Sequence, residues 1–218
     1  MLESEREKSM AKKKIMIIDY GMGNVGSVAH ALDHLGGNYF VSSNSDDLTK
    51  ADAYILPGVG AFSAAMENLR KLNLTDELCR QVVDKKKAFF GICLGMQLLA
   101  KDSTEQGFAK GLGWINGHVL LMEPKGALCV PHVGWNNTRF KQDHRFFCRV
   151  DQGTHFYFDH SYHLQCDKDL VVATCQYGNE YVAAIHQDNI FATQFHPEKS
   201  QISGLKILRN YLNYFEGK

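Results

Sequence analysis

The chain has 218 residues, 44% of them hydrophobic, which suffices for one sizeable domain with a full core. Its 24 basic and 24 acidic residues balance, so charge makes no case for nucleic acid or an anionic membrane as partner. No apolar run approaches the length of a membrane span, and the charged start, Met1 to Lys14, holds no signal-peptide core.

In chain order, residues 1–14 read as a flexible tail, with Lys12-Lys13-Lys14 a solvated charge run and Met10 a second candidate start. Residues 15–218 then read as a single domain without repeat or linker. Ile15-Met16-Ile17-Ile18 is a continuous apolar run, which suits a strand buried on both faces. Val25 to Leu35 reads as a helix closed by Gly36-Gly37. Tyr39 to Val41 and Ala53 to Leu56 are the next strands, the latter running into Pro57-Gly58-Val59-Gly60. Helices are expected from Phe62 to Arg70 and from Thr75 to Lys86. Ala88 to Gly91 is another strand, and Met96 to Ala100 continues as a helical pattern. This alternation predicts an α/β fold, flavodoxin-like, with a mainly parallel central sheet flanked by helices. Ligands on such sheets bind beyond the carboxyl ends of the strands. Asp19-Tyr20, Pro57-Gly58 and Cys93 all fall there.

The second half changes character. Short strands are expected at 119–121, 156–158, 170–173, 181–185 and 190–192, with a hairpin turn at Asp188-Asn189. This smaller portion should be largely antiparallel and packed against the same sheet. A final helix, Ile202 to Phe215, carries Leu205, Leu208, Leu212 and Phe215 on one face.

The chemistry concentrates at one cysteine. Gly91-Ile92-Cys93-Leu94-Gly95 lies between a strand and a helical pattern, the setting of a nucleophile elbow. A thiol at a helix N-terminus is biased toward the thiolate, the reactive form. Far downstream, Ile190 to Phe195 ends in His196-Pro197-Glu198. A residue before proline is biased to extended backbone. Residues two apart on an extended segment point to one side, so Glu198 is expected to hydrogen-bond His196. Cys93, His196 and Glu198 thus form a candidate nucleophilic triad that needs neither cofactor nor metal. The N–H of Leu94, next to the nucleophile, is a candidate oxyanion donor. A second donor is expected from the loop Pro57 to Gly60.

Gly91 to Gln97 together with His196-Pro197-Glu198 resembles the class I (triad-type) glutamine amidotransferases. Asp19 to Asn24, Leu56 to Phe62, Pro131 to Asn136, His160-Ser161-Tyr162 and Gln194 to Gln201 narrow the resemblance. Within that family they are similar to the HisH-type glutaminase subunits of imidazole glycerol phosphate synthase. The likeness runs from about Ile15 to the C-terminus. It implies L-glutamine as substrate, a thioester on Cys93, and His196 as the proton shuttle. It also implies Val59, beside Gly58, as the second oxyanion donor, and Gln97 and the main chain at Ser161-Tyr162 as glutamine-binding positions. The partner it implies is a HisF-like (β/α)₈ cyclase, fed with ammonia, in a cytoplasmic histidine pathway. Pro131, Trp135 and Asn136 match the segment at the interface with that cyclase.

Other features have plainer readings or weaker claims. Gly21-Met22-Gly23-Asn24-Val25-Gly26 is a literal G-x-G-x-x-G, read here as a tight turn between strand and helix rather than a dinucleotide site. His155, His160 and His163 crowd one segment, yet His160 and His163 should face opposite sides, and no metal site is expected. Six scattered cysteines with no C-x-x-C pair fit a reducing compartment. Gly113-Trp114-Ile115 and His163 lean toward a rival synthase partner, one that amidates surface sugars. A stand-alone γ-glutamyl thiol hydrolase is a second rival.

Overall fold

The computed structural model describes residues 13–217. Most of the expected tail, residues 1–12, lies outside them. Lys13 and Lys14, expected in that tail, are tied to the domain. Lys13 Nζ donates to Phe215 O at 2.5 Å, and the Lys14 N–H donates to Asp52 Oδ2 at 2.8 Å.

The elements follow in order: β1 (Ile15–Ile18), α1 (Val25–His34), β2 (Tyr39–Ser42), β3 (Ala53–Gly58), α2 (Phe62–Lys71), α3 (Leu74–Cys79), β4 (Ala88–Cys93) and the one-turn α4 (Leu94–Gln97). The second half holds β5 (Asp102–Ser103), β6 (Ala109–Lys110), β7 (Gly117–Leu121), β8 (His132–Phe140), β9 (His155–His160), β10 (Tyr162–Cys166), β11 (Val171–Tyr177), β12 (Asn179–Gln187), β13 (Ile190–Thr193) and α5 (Gln201–Glu216).

A sheet of nine strands runs β2-β1-β3-β4-β13-β12-β11-β8-β9. The block from β2 to β13 is parallel, and the strands from β12 onward are antiparallel. The expected parallel sheet with a smaller antiparallel portion is therefore present. Not all of that portion joins the main sheet: β10-β7-β5-β6 forms a second sheet. The hairpin turn at Asp188-Asn189 joins β12 to β13 as expected.

Because side chains alternate across a strand, β1 feeds two cores. Ile15 and Ile17 join α1 and α5 on one face, through Val28, Leu32, Ile207 and Leu208. Met16 and Ile18 join α2 and α3 on the other, through Ala65, Leu69, Leu74 and Leu78. The apolar face of α5 also carries Tyr211, fully buried, whose hydroxyl donates to Tyr54 O of β3 at 2.8 Å. That bond ties α5 to the middle of the parallel block.

Two expected helices are shorter than the sequence implies. The stretch 75–86 is α3 followed by a wider π turn over Arg80–Asp84. The stretch 96–100 leaves the helix after Gln97. The carbonyls of Leu98, Leu99 and Ala100 accept from the N–H groups of Leu112, Ile115 and Gly113 instead of from a next helical turn. Tertiary contacts outcompete local propensity there.

Tyr211→Phe keeps the packing and deletes the bond to Tyr54. It is expected to lower unfolding stability by about 1 kcal/mol, measured by denaturant titration; an unchanged midpoint contradicts the tie.

Candidate active site

The carboxyl ends of β3, β4 and β13 meet at one place. Register pairs Gly58 with Cys93 and Ile92 with Thr193. Three residues beyond Thr193 comes His196. Strand pairing alone therefore brings the two distant motifs together, where the rule for parallel sheets places ligands.

Cys93 ends β4 with φ 53° and ψ −109°, a conformation rare for a residue with a side chain. The flanking glycines are explained by close approach. A Cβ on Gly95 would drive into the Leu56 carbonyl oxygen, and one on Gly91 would lie 2.7 Å from Gly95 O. The elbow is thus clamped against β3. The helix after it is only one turn long, too short for the macrodipole that the sequence pattern implies at the sulfur.

Opposite the sulfur stands His196, buried like Glu198. His196 Nδ1 lies 2.8 Å from Glu198 Oε1, so the Nδ1–H donates to the carboxylate. The expected pairing is present, but its cause differs from an extended strand. His196 is extended before Pro197, and Pro197–Lys199 then forms a 3₁₀ turn that brings Glu198 back to the ring. Ser200 fastens that turn: its hydroxyl donates to His196 O at 2.6 Å and accepts from the Tyr157 N–H at 3.0 Å. The His196 N–H donates to Tyr157 O at 2.9 Å.

The other ring nitrogen, Nε2, is buried and completes no hydrogen bond. Burial lowers the tendency of His196 to hold a proton. The neighbouring sulfur of Cys93, and after it Glu198, more than offset this and raise the ring to about 10. The arrangement favours a protonated imidazole facing the Cys93 sulfur. Such a pair can attack an acyl carbon and return the proton to a leaving group.

Around the sulfur lies a cleft of about 280 Å³, lined by Val59, Gly60, Leu94, Gln97, Pro131, Ser161 and Tyr162 among others. These include most of the positions named from sequence. Gln97 is buried, and both hydrogens of its amide are spent, on Tyr162 O at 2.8 Å and on Gln194 Oε1 at 3.0 Å. Gln194 in turn donates from Nε2 to Cys93 Sγ at 3.6 Å. The Met122 N–H donates to Ser161 O, which puts Tyr162, opposite Leu121, at a non-hydrogen-bonded position of the β10–β7 ladder. Its N–H and C=O point away from β7.

Sequence reasoning did not single out Glu105 or Gln194. Glu105 lines the cleft while its Oε2 accepts the Phe62 N–H at 2.7 Å, capping α2. Nothing local in Thr104-Glu105-Gln106 marks it. The β13 register marks Gln194, one residue past the strand end, fully buried and aimed at the sulfur.

Pro131 borders the cleft, and Trp135 is 47% exposed, which excludes a core role for that ring. Asn136 is anchored, donating to Gln176 O at 3.0 Å. The glycine stretch 21–26 is the expected turn between β1 and α1: Gly21 has φ 78°, Gly23 packs on Pro57, and Asn24 caps α1 through the Ser27 N–H. Trp114 packs edge-on against Phe89, and His163 against Tyr181. Both are packing residues. Among the described residues no cluster of three or more His, Cys, Asp or Glu side chains could hold a metal, and no helix is long and apolar enough to cross a membrane.

In Cys93→Ala the largest raising influence on His196 is gone. Its imidazole titration, followed by NMR, is expected to move down from about 10 toward the ordinary histidine range. A titration that stays put contradicts the coupling of His196 to the Cys93 sulfur.

Comparison with known proteins shows the family and the fold. The chain is 45% identical to the imidazole glycerol phosphate synthase subunit HisH 1 of Campylobacter jejuni (strain RM1221), over 91% of this chain and 98% of that one. It is 46% identical to HisH 2 of Vibrio vulnificus (strain YJ016), over 92% and 94%. Among solved structures, PurLQS from Thermotoga maritima superposes with TM-score 0.71 at 20% identity, covering 93% of this chain and 99% of that one. A glutamine amidotransferase from Thermotoga maritima gives TM-score 0.68 at 16% identity, covering 95% and 99%. At those identities the solved structures show the shared fold. The pattern of the family described as glutamine amidotransferase class-I matches residues 16–213, and the chain belongs to that family.

Proposed function

We propose that the chain is a glutaminase subunit that hydrolyses L-glutamine through a thioester on Cys93. One observation carries the assignment of the site: a buried His196–Glu198 pair with an unpartnered Nε2, set opposite a cysteine in a strained elbow. In this reading Cys93 Sγ attacks the side-chain carboxamide of glutamine. The negative charge passes to the carbonyl oxygen, which the N–H groups of Leu94 and Val59 stabilise. Loss of one such donor typically costs about 3–4 kcal/mol of barrier. His196 delivers its Nε2 proton to the nitrogen as the carbon–nitrogen bond breaks, and ammonia leaves. A water molecule, losing a proton to His196, then attacks the thioester and releases glutamate. Glu198 holds the ring in the tautomer and orientation that both steps need.

The cleft supplies the recognition groups. The N–H of Tyr162 and the neighbouring Ser161 offer polar contacts, Gln97 retains its Oε1, and Glu105 adds an acidic group suited to an α-ammonium. The relatives are named as subunits of imidazole glycerol phosphate synthase, which supports a role in histidine biosynthesis. The ammonia would pass to a HisF-like (β/α)₈ cyclase subunit. The exposed Val133 and Trp135 on β8, with Pro131 and the anchored Asn136 beside them, suit that docking face. Six free thiols suit a reducing cytoplasm. The two features that favoured a sugar-amidating partner, Trp114 and His163, are accounted for by packing.

Two experiments test this reading. Cys93→Ala, combined with the cyclase subunit, is expected to lose glutamine-dependent synthesis and keep synthesis from ammonium salts. Equal loss with both nitrogen sources contradicts the role. Trp135→Ala is expected to weaken co-purification with the cyclase by about tenfold or more, with folding unchanged; full retention of binding moves the interface elsewhere.

A further inference from the structure

Two buried histidines, His160 in the wall of the cleft and His132 in contact with it, carry no role in the chemistry above. His132 is 3% exposed and His160 is 6% exposed. His132 is sandwiched between Phe158 and Tyr177, with centroids at 4.8 and 4.1 Å. Its Nδ1 lies 3.2 Å from His160 Nε2, and its Nε2 lies 3.2 Å from Asn136 Nδ2. His160 Nδ1 lies 2.8 Å from Tyr162 O.

These contacts allow one proton arrangement. A carbonyl cannot donate, so the His160 Nδ1–H donates to Tyr162 O. A neutral ring then leaves His160 Nε2 as acceptor, and the His132 Nδ1–H donates to it. His132 Nε2 is the acceptor that remains, and Asn136 Nδ2–H fills it. Burial holds His132 down at about 4 and His160 at about 3, so both stay neutral at physiological pH. The second lone pair of Tyr162 O is taken by Gln97, which leads through Gln194 to the sulfur of Cys93.

We propose that His132 and His160 are positioning residues for glutamine recognition. They form a one-way hydrogen-bond relay from Asn136 on β8 to the Tyr162 carbonyl, and so fix the residue whose N–H lies beside the cleft. The relay begins on the strand that exposes Val133 and Trp135 to solvent. At its inner end the Tyr162 carbonyl also accepts from Gln97, whose other hydrogen goes to Gln194, the amide in contact with the sulfur. The inference rests on the glutaminase reading. The sulfur keeps His196 and Glu198 whatever the relay does, so the effect falls on substrate affinity.

The test is glutamine hydrolysis by the chain with its cyclase partner bound, followed over a range of glutamine concentrations. His132→Phe keeps the aromatic sandwich and deletes both relay contacts. It is expected to raise KM for glutamine about tenfold, while alkylation of Cys93 by iodoacetamide changes less than about twofold. His132→Gln returns an amide donor and is expected to recover most of the loss. A His132→Phe KM within about twofold of the parent overturns the relay, as does equal loss in both variants. Should His132→Phe fail to fold, Asn136→Ala, at the half-buried head of the relay, is expected to raise KM about threefold. An unmoved KM there overturns it too. A parent complex that hydrolyses no glutamine overturns the glutaminase reading itself, whereas normal turnover with an unmoved KM overturns the relay alone.

Discussion

The site depends on the close approach of α4 to β3. Gly95 lies so near the Leu56 carbonyl that no side chain fits, and Gly58 is crowded by Tyr20 and Leu94. That clamp holds Cys93 at positive φ, off the line of β4 and beside His196. Strain of this kind costs on the order of 1–3 kcal/mol and persists only where the surroundings over-determine it. Here the surroundings are the buried parallel block, with β3, β4 and β13 in register and cores on both faces.

Two kinds of buried histidine sit within this small region, and their surroundings separate them. His196 faces a sulfur and a carboxylate, which together outweigh desolvation and favour the charged ring. His132 and His160 face aromatic rings, an amide and a carbonyl, and desolvation holds them neutral. A charged ring can give up a proton during chemistry. A neutral pair whose ring nitrogens are all engaged by fixed neighbours holds geometry. The same residue type thereby serves the reaction in one place and the scaffold in the other.

Much of this was legible in the sequence. The continuous run Ile15 to Ile18 marked a strand buried on both faces, and Gly91 to Gly95 marked the elbow. His196-Pro197-Glu198 marked the second half of the site, although the reason for its geometry is the turn after Pro197 rather than an extended strand. Strand β8 is not legible in the sequence because His132 to Phe140 mixes Gly, Asn and Arg with few apolar residues. Its pairing with β9 and β11 makes it a strand. The end of α4 was also illegible, since the groups that capture its carbonyls come from residues 112–115. Glu105 and Gln194 join the site through tertiary placement, and no spacing rule reaches them. The histidine relay links β8 to the start of β10, a juxtaposition that exists only after folding.

Acid-quenched mass spectrometry of the chain turning over glutamine probes the sulfur's role most directly. A γ-glutamyl adduct on the peptide containing Cys93, absent when His196 is replaced by alanine, is the expected result. Glutamine turnover with the acyl group on another residue, or an adduct that forms at full speed without His196, contradicts the account.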